Sequence, residues 1–408
     1  MTAVDNWNLA RYSKKFTAVA FIDLTKALDS VRHDVLLQTL QQYGFGGTVL
    51  KWFQDYLQDR EQFIKLQEPP LTFVCTKGVP QGSVLGPLLF NIYVADLGNI
   101  AQEGGTSLPS FADDFTLYAS RLTADAACRA VSNVLTTLYD TLKHRGLRMN
   151  CEKTVAMVIP PTLRTTAETK GCRITCGTTE LKLVDECRLL GIVIDSALSW
   201  KAQVDHLCSK VGRKIGALKR SFRQLSPYAR RSFLISVIQP DFEYASIVYV
   251  PCMMAGLRNR LEAVWRRAVR CAGGSGYQEN IAPLLEDLKM TNIRTRWILQ
   301  YAIFVRRCHR KQAPSSVCNK LTATRHSHST RGSKHSYRPL RPSTNAGCVS
   351  FSNRAPLLWN ALPSDVQDEP SLSTFKRKCL SMLEEHVKHT FFDSVCLNNP
   401  SDLKPLYD

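Results

Sequence analysis

A chain of 408 residues with 44% hydrophobic side chains has enough apolar material for two or three packed units, which excludes a wholly disordered protein. No run reaches the ~18 consecutive apolar residues of a membrane helix, and the start MTAVDNWNLARYSKK lacks the apolar stretch of a secretory leader. A formal charge of +18 points to a polyanionic partner rather than a basic one.

In chain order, residues 16–23 (FTAVAFID) read as a buried strand that ends on an acid. SVRHDVLLQTLQQYG places Val31, Val35, Leu36 and Leu40 at helical spacing, with Gly44 as its stop. A second helix, TVLKWFQDYLQ, ends near Asp59, and residues 62–77 suggest an extended hairpin. Residues 78–97 (GVPQGSVLGPLLFNIYVADL) read as a Gly/Pro-rich loop feeding an apolar helix, followed by a loop over 98–109. SFADDFTLYAS has two short apolar runs around an acidic pair, the pattern of a hairpin with charge at its tip. Residues 125–145 form an amphipathic helix through Val131, Val134, Leu135, Leu138 and Leu142, and strands follow around CEKTVAMVI and CRLLGIVID.

The charge is unevenly placed. Residues 1–200 carry 20 basic and 20 acidic side chains, residues 201–340 carry 26 against 7, and residues 341–408 carry 7 against 8. Residues 201–221 put Val204, Leu207, Val211, Ile215 and Leu218 on one helical face and basic residues around the rest. A solvated face would normally mix in acids, so this block reads as a nucleic-acid footprint. Residues 313–345, rich in Ser, Thr, Pro, Arg and His, suggest an exposed linker, and order returns at FSNRAPLLWNALPSDV and SLSTFKRKCLSMLEEHV.

The 14 cysteines are scattered, and without a leader they read as reduced thiols of an intracellular protein, nuclear or cytoplasmic. Cys172 with Cys176, and the loose group Cys308, His309, Cys318, His326, His328 and His335, lack the spacing of a tetrahedral zinc site.

Three carboxylates stand out: Asp23 at a strand end, and Asp113 with Asp114 at a hairpin tip. Adjacent acids repel, and a tight turn favours Gly or Asn, so the pair makes most sense with cations nearby. Magnesium takes one or two carboxylates and completes its shell with phosphate oxygens, and two such ions can clamp an in-line phosphoryl displacement. Read alone, Ser83 in VPQGS is a helix cap and Lys153 a surface charge.

The order strand-Asp, helix, PQG loop, helix, DD hairpin, helix, lysine resembles the reverse transcriptases of non-LTR (LINE-like, jockey and CR1-type) retrotransposons. FIDLTKALDSVRHDVLL, GVPQGSVLGPLLFNIYVADL, FADD, GLRMNCEKT and LLGIVIDSALSW are similar to successive motifs of that family. YASIVYVP and LEAVWRRAVR resemble its thumb, and FSNRAPLLWNALPSDV its C-terminal segment. The resemblance implies an α+β fold, a right-hand palm of antiparallel strands backed by helices, with a helical thumb and a small helical C-terminal region. The corresponding divisions are 1–200 (palm with residual fingers), 201–312 (basic thumb), 313–345 (linker) and 346–408.

It implies an RNA-directed DNA polymerase, a nucleotidyltransferase that joins dNTPs to a DNA primer at its target on an RNA template, using two Mg2+ ions. Asp23, Asp113 and Asp114 would hold the metal. Leu28, Gln81 and Gly82 would line the nucleotide and template pocket, Lys153 would assist pyrophosphate departure, and Leu190 and Gly191 would form the primer grip.

Two departures stand out. Where the family reads AFD this chain reads Ala27-Leu28-Asp29, and the aromatic is the steric gate against a ribose 2′-hydroxyl, so weaker exclusion of ribonucleotides is expected. Only 22 residues precede Asp23, so the upstream fingers and an endonuclease are expected to be missing. The competing reading is an inactive remnant that still binds nucleic acid through its basic region. A group II intron maturase shares the palm, but LWNALP and FADD suit it poorly.

Overall fold

The run FTAVAFI offers no side chain to water, and as the strand Phe16–Ile22 it is buried along its whole length. Both of its faces are covered, a setting for apolar, β-branched and aromatic residues. In the computed structural model, residues 1–64, 71–276, 278–323, 336–340, 342 and 344–384 are described. Parts of three expectations lie outside these residues: the tip of the 62–77 hairpin, most of the linker with His326, His328 and His335, and the last turn of the C-terminal helix.

The chain divides into two compact units, residues 14–190 and residues 1–13 together with those from 191 onward. In the 14–190 unit, Phe16–Ile22 is the middle of a five-stranded sheet. It pairs antiparallel with Asp114–Arg121 on one side and Val155–Ile159 on the other. Ser110–Phe111 extends the sheet beyond Asp114–Arg121, and Lys182–Leu183 lies parallel to Val155–Ile159 at the far edge.

The amphipathic helix forms over Ala124–His144, within one residue of expectation, and lays its buried residues Val131, Val134, Leu135, Leu138 and Leu142 toward the sheet. Its ends are well specified: the Thr123 hydroxyl accepts the Ala126 N–H, Asp125 sits in the first turn, and Lys143 and His144 sit in the last. The expected hairpin also forms, Arg60–Ile64 against Leu71–Cys75.

Two local expectations need correction. The helix after the first strand begins at His33, leaving Val31 buried outside it. The segment expected as a loop over 98–109 contains the helix Leu97–Glu103, whose Leu97 and Ala101 point inward four residues apart. Gly104 then passes so close to Val134 that a Cβ would lie 2.2 Å from its methyl group. The sequence cue is weak because Gly98 and two glycines at 104–105 frame so short a helix.

In the other unit, the helix Lys201–Arg220 buries Val204, Leu207, Val211, Ile215 and Leu218, as its spacing indicates, and packs on Ala255–Gly273. The first helix, Thr2–Tyr12, joins this unit through Asp5, which is 2% exposed. Its carboxylate accepts the Phe351 N–H at 2.5 Å, the Ser352 hydroxyl at 3.0 Å and the Lys320 ammonium at 2.5 Å. It therefore caps the helix Phe351–Ala361 and neutralises a largely buried lysine at once. The fold class is α+β, as expected. Among the described residues no helix is long and apolar enough to cross a membrane.

Removing Asp5 would strand the Lys320 charge without its partner. Asp5→Ala is expected to destabilise this unit by about 3–5 kcal/mol in urea unfolding. A loss below about 1 kcal/mol would show that water replaces the carboxylate.

Candidate active site

The ladder between Phe16–Ile22 and Asp114–Arg121 ends at the pair Ile22↔Phe115. One step further lie Asp23 and Asp114, so sheet register alone brings together acids 91 positions apart in the chain. Neighbouring positions across such a ladder have Cβ atoms about 4.5–5.5 Å apart. Asp113 occupies the turn of the hairpin closed by Phe111↔Asp114. The other turn residue, Ala112, has φ +52°, a conformation that hairpins of this length usually assign to glycine. Its Cβ makes that backbone strained, and such strain clusters where geometry serves chemistry.

The electrostatics follow from this arrangement. The Asp114 carboxyl is pushed above the ordinary aspartate range, first by partial burial and then by the negative charges of Asp113 and Asp23. A cation relieves both causes. Among the described residues no group of three or more acidic, His or Cys side chains is placed so as to hold a metal ion. Magnesium does not require such a group, since it keeps waters and takes substrate phosphates beside one or two carboxylates. The donor set is hard oxygen, mutually repelling and partly open to solvent, and it fits that ion.

A second element is bound to the chain that follows the strand Phe16–Ile22. Residues 78–81 are fastened onto the 28–33 segment at four points. The Gly78 N–H donates to the Val31 carbonyl at 2.7 Å, and the Val79 N–H donates to the Leu28 carbonyl at 2.9 Å. The Gly78 carbonyl meets His33 Nε2 at 2.8 Å, and the Gln81 amide donates to Asp29 Oδ1 at 2.9 Å. Gln81 is thereby held next to Leu28, which is half-buried against the main core. Gly82 has φ +80°, and the space where a Cβ would lie is empty, so the backbone is open to a ligand there. Ser83 accepts the Gly86 N–H at 2.9 Å and donates to the Pro80 carbonyl at 2.7 Å, so it satisfies a first-turn amide of the helix Leu85–Tyr93, although Val84 and not Ser83 is the N-cap residue.

Lys153 is exposed, in a loop whose two ends hydrogen-bond the backbone of Asp23. The bonds are made by Asn150 and Thr154, which the sequence reading passed over. The signal was present in NCEKT, where a polar pair brackets the lysine just ahead of an apolar strand. Leu190 (φ +46°) and Gly191 (φ +79°) form a turn between the strands Glu186–Leu189 and Ile192–Asp195. Asp23, Leu28, Gln81, Gly82, Asp113, Asp114 and Lys153 all belong to the 14–190 unit, whereas Leu190 and Gly191 lie where the chain leaves it.

Also in this unit, a cavity of about 390 Å³ opens beside the acidic hairpin, with Pro87, Asn91, Val94, Leu108, Phe111 and Phe115 in its walls. Phe111 is 67% exposed, an apolar ring immediately before the acidic turn.

In the other unit four of the seven acids in residues 201–340 are paired with bases. Asp241 takes Lys210 and Lys214, and Glu262 takes Arg266 and Arg294. Asp205 takes Arg260, and Glu243 takes Arg296. Lys201, Arg213, Lys219, Arg220, Arg223 and Arg267 are exposed, which leaves unneutralised positive charge on this surface.

Residues 3–194 match the family described as reverse transcriptase (RNA-dependent DNA polymerase). The probable RNA-directed DNA polymerase from transposon BS of Drosophila melanogaster is 26% identical over 308 residues, which cover 72% of this chain and 33% of that relative. The probable RNA-directed DNA polymerase from transposon X-element of the same fly is 25% identical, covering 69% of this chain and 31% of its own length. The RNA-directed DNA polymerase from mobile element jockey of Drosophila funebris is 21% identical, with coverage of 69% and 31%. The chain thus spans about a third of the length of these curated relatives. Among solved structures, telomerase from Candida albicans aligns at 13% identity with a TM-score of 0.41, covering 71% of this chain and 52% of that one, a likeness too loose to argue from.

Gly78 is where the fastened loop has least tolerance: φ is +91°, and a Cβ would lie 2.9 Å from the Asp29 Cα and carbonyl oxygen. Gly78→Ala is expected to cost about 1–3 kcal/mol in urea unfolding of the whole chain. A change within about 0.5 kcal/mol, the range of ordinary surface substitutions, would mean that the 28–33 contact is dispensable.

Proposed function

We propose, because residues 3–194 match the reverse transcriptase family and the chain is similar to RNA-directed DNA polymerases of retrotransposons, that this chain copies RNA into DNA by two-metal nucleotidyl transfer. A primer 3′-hydroxyl attacks the α-phosphate of a dNTP, the new phosphodiester forms as the bond to the β-phosphate breaks, and pyrophosphate leaves. The observation that carries the reading is the placing of Asp23 and Asp114 at the end of one ladder with Asp113 in the adjoining turn.

In this reading Asp23, Asp113 and Asp114 hold the two Mg2+ ions. Bound there, the ions would supply Lewis acidity toward the attacking and leaving oxygens. The chain's own groups do the positioning. Gln81, held by Asp29, and the open backbone at Gly82 present the templating base and nucleotide. Lys153 places a positive charge or a proton at the departing pyrophosphate, a contribution typical of general acids. Leu190 and Gly191 turn the chain at the primer grip. The exposed cations from Lys201 onward neutralise the phosphates of the RNA template and DNA primer, in the nucleus or the cytoplasm.

Primer extension on an RNA template with Mg2+ and dNTPs tests the reading, with Asp113→Asn as its control. The wild-type chain is expected to extend, and the variant to lose more than about 10²-fold, as when preorganised charge stabilisation is removed. Failure of both proteins to extend, with salt-sensitive RNA binding retained, would favour an inactive binding remnant.

Leu28 bears on sugar selection. Leucine is narrower than the family's aromatic, so Leu28→Phe is expected to lower rNTP relative to dNTP incorporation by about tenfold, the value of one apolar contact. An unchanged ratio would remove Leu28 from the sugar pocket.

A further inference from the structure

The backbone at Asp23 runs between two ladders. Before it Phe21 pairs with Val155, and after it Leu24 pairs with Met149. Between Met149 and Val155 the opposing chain carries residues 150–154, more than the two residues it faces, so it bulges into a loop. Both ends of that loop hold Asp23. The Asn150 N–H donates to the Asp23 carbonyl at 2.9 Å, and the Thr154 hydroxyl accepts the Asp23 N–H at 3.2 Å.

The loop is also braced from within. The Asn150 side-chain oxygen accepts the amides of Glu152 and Lys153, each at 3.2 Å, and its carbonyl accepts the Thr154 N–H at 2.8 Å. Thr154 is completely buried while its neighbour Lys153 is exposed. A valine would fill the Thr154 site equally well, so packing does not explain the hydroxyl. The Asp23 N–H does, because a backbone donor at a buried strand end needs an acceptor.

We infer that Thr154 and Asn150 are positioning residues that fasten the Lys153 loop to the backbone of Asp23, so that the carboxylate and the ammonium keep one fixed spacing. This rests on the polymerase reading above. Two groups acting on the same triphosphate need such a link, since a misplacement of about 1 Å can cost ~10²-fold in rate. Supporting partners of this kind typically contribute ~10- to 100-fold to activity or metal affinity.

The test is single-turnover extension by the full chain, expressed per titrated active site, together with amide hydrogen exchange. Thr154→Val is expected to lower the rate at saturating dNTP by about tenfold and to raise the half-saturating Mg2+ concentration. Thr154→Ser, which keeps the acceptor, should restore the rate to within about twofold of wild type. Adding Lys153→Ala to Thr154→Val should cost much less than Lys153→Ala costs alone, because the lysine is already misplaced. In exchange, Thr154→Val should expose the Asp23 amide and Asn150→Ala those of Glu152 and Lys153, while the Asp114–Arg121 strand stays protected.

A merely structural role would reduce the number of active sites and leave the rate per site unchanged, and that result would overturn the inference. So would Thr154→Ser behaving like Thr154→Val, or unaltered exchange at Asp23. If the wild-type chain extends nothing and matches Asp113→Asn, the polymerase reading falls, and the exchange arm alone then decides whether the loop is fastened to Asp23.

Discussion

Mutual repulsion among three carboxylates is the constraint to which the rest of the 14–190 unit answers. Two unit charges about 5 Å apart repel by roughly 1 kcal/mol in water-like surroundings and roughly 3 kcal/mol at an effective dielectric of about 20. The Asp114 carboxyl is pushed up first by partial burial and then by the charges of Asp113 and Asp23. A sheet keeps such groups together only if its strands are anchored elsewhere. Phe16–Ile22 supplies the anchor, buried on both faces and paired on both edges. The acids sit at its end, where the chain is still held by the ladder yet open enough to meet an ion.

The polar loops of this unit are fastened by hydrogen bonds as well as by the buried Val79 and Thr154. Residues 78–81 are zipped onto 28–33, and residues 150–154 grip the peptide of Asp23. Both segments leave their functional groups in solvent, with Gln81 and Lys153 exposed. On the polymerase reading this suits a site that admits a charged nucleotide and releases pyrophosphate: the loop backbones are fixed, the Gln81 amide is held by Asp29, and Lys153 is left exposed to a substrate.

Much of this was legible in the sequence, and the reasons differ by element. The central strand and the 124–144 helix declared themselves through apolar runs at clear periods, and the basic 201–220 helix through its sparse apolar stripe. The acids were legible as an oddity, since a DD pair in a tight turn opposes turn chemistry. Their meeting with Asp23 was expected only through the family resemblance, because register depends on pairings far apart in the chain and leaves no local signal. The helix Leu97–Glu103 was missed because a seven-residue element framed by glycines gives no periodic signal. Asn150 and Thr154 were missed for another reason: short polar residues beside a strand read as a turn, and only coordinates reveal which backbone they hold. Asp5 was likewise invisible, since its partners lie more than 300 positions away.

The central claim is that Asp23, Asp113 and Asp114 share one divalent-cation site, and localised oxidative cleavage tests it most directly. With Fe2+ in place of Mg2+, ascorbate and peroxide generate hydroxyl radicals that cut the backbone beside the bound ion. The account predicts cuts near residue 23 and within 111–115, both suppressed by excess Mg2+. Cleavage at one of these segments without the other, or cuts that Mg2+ does not compete away, would contradict it.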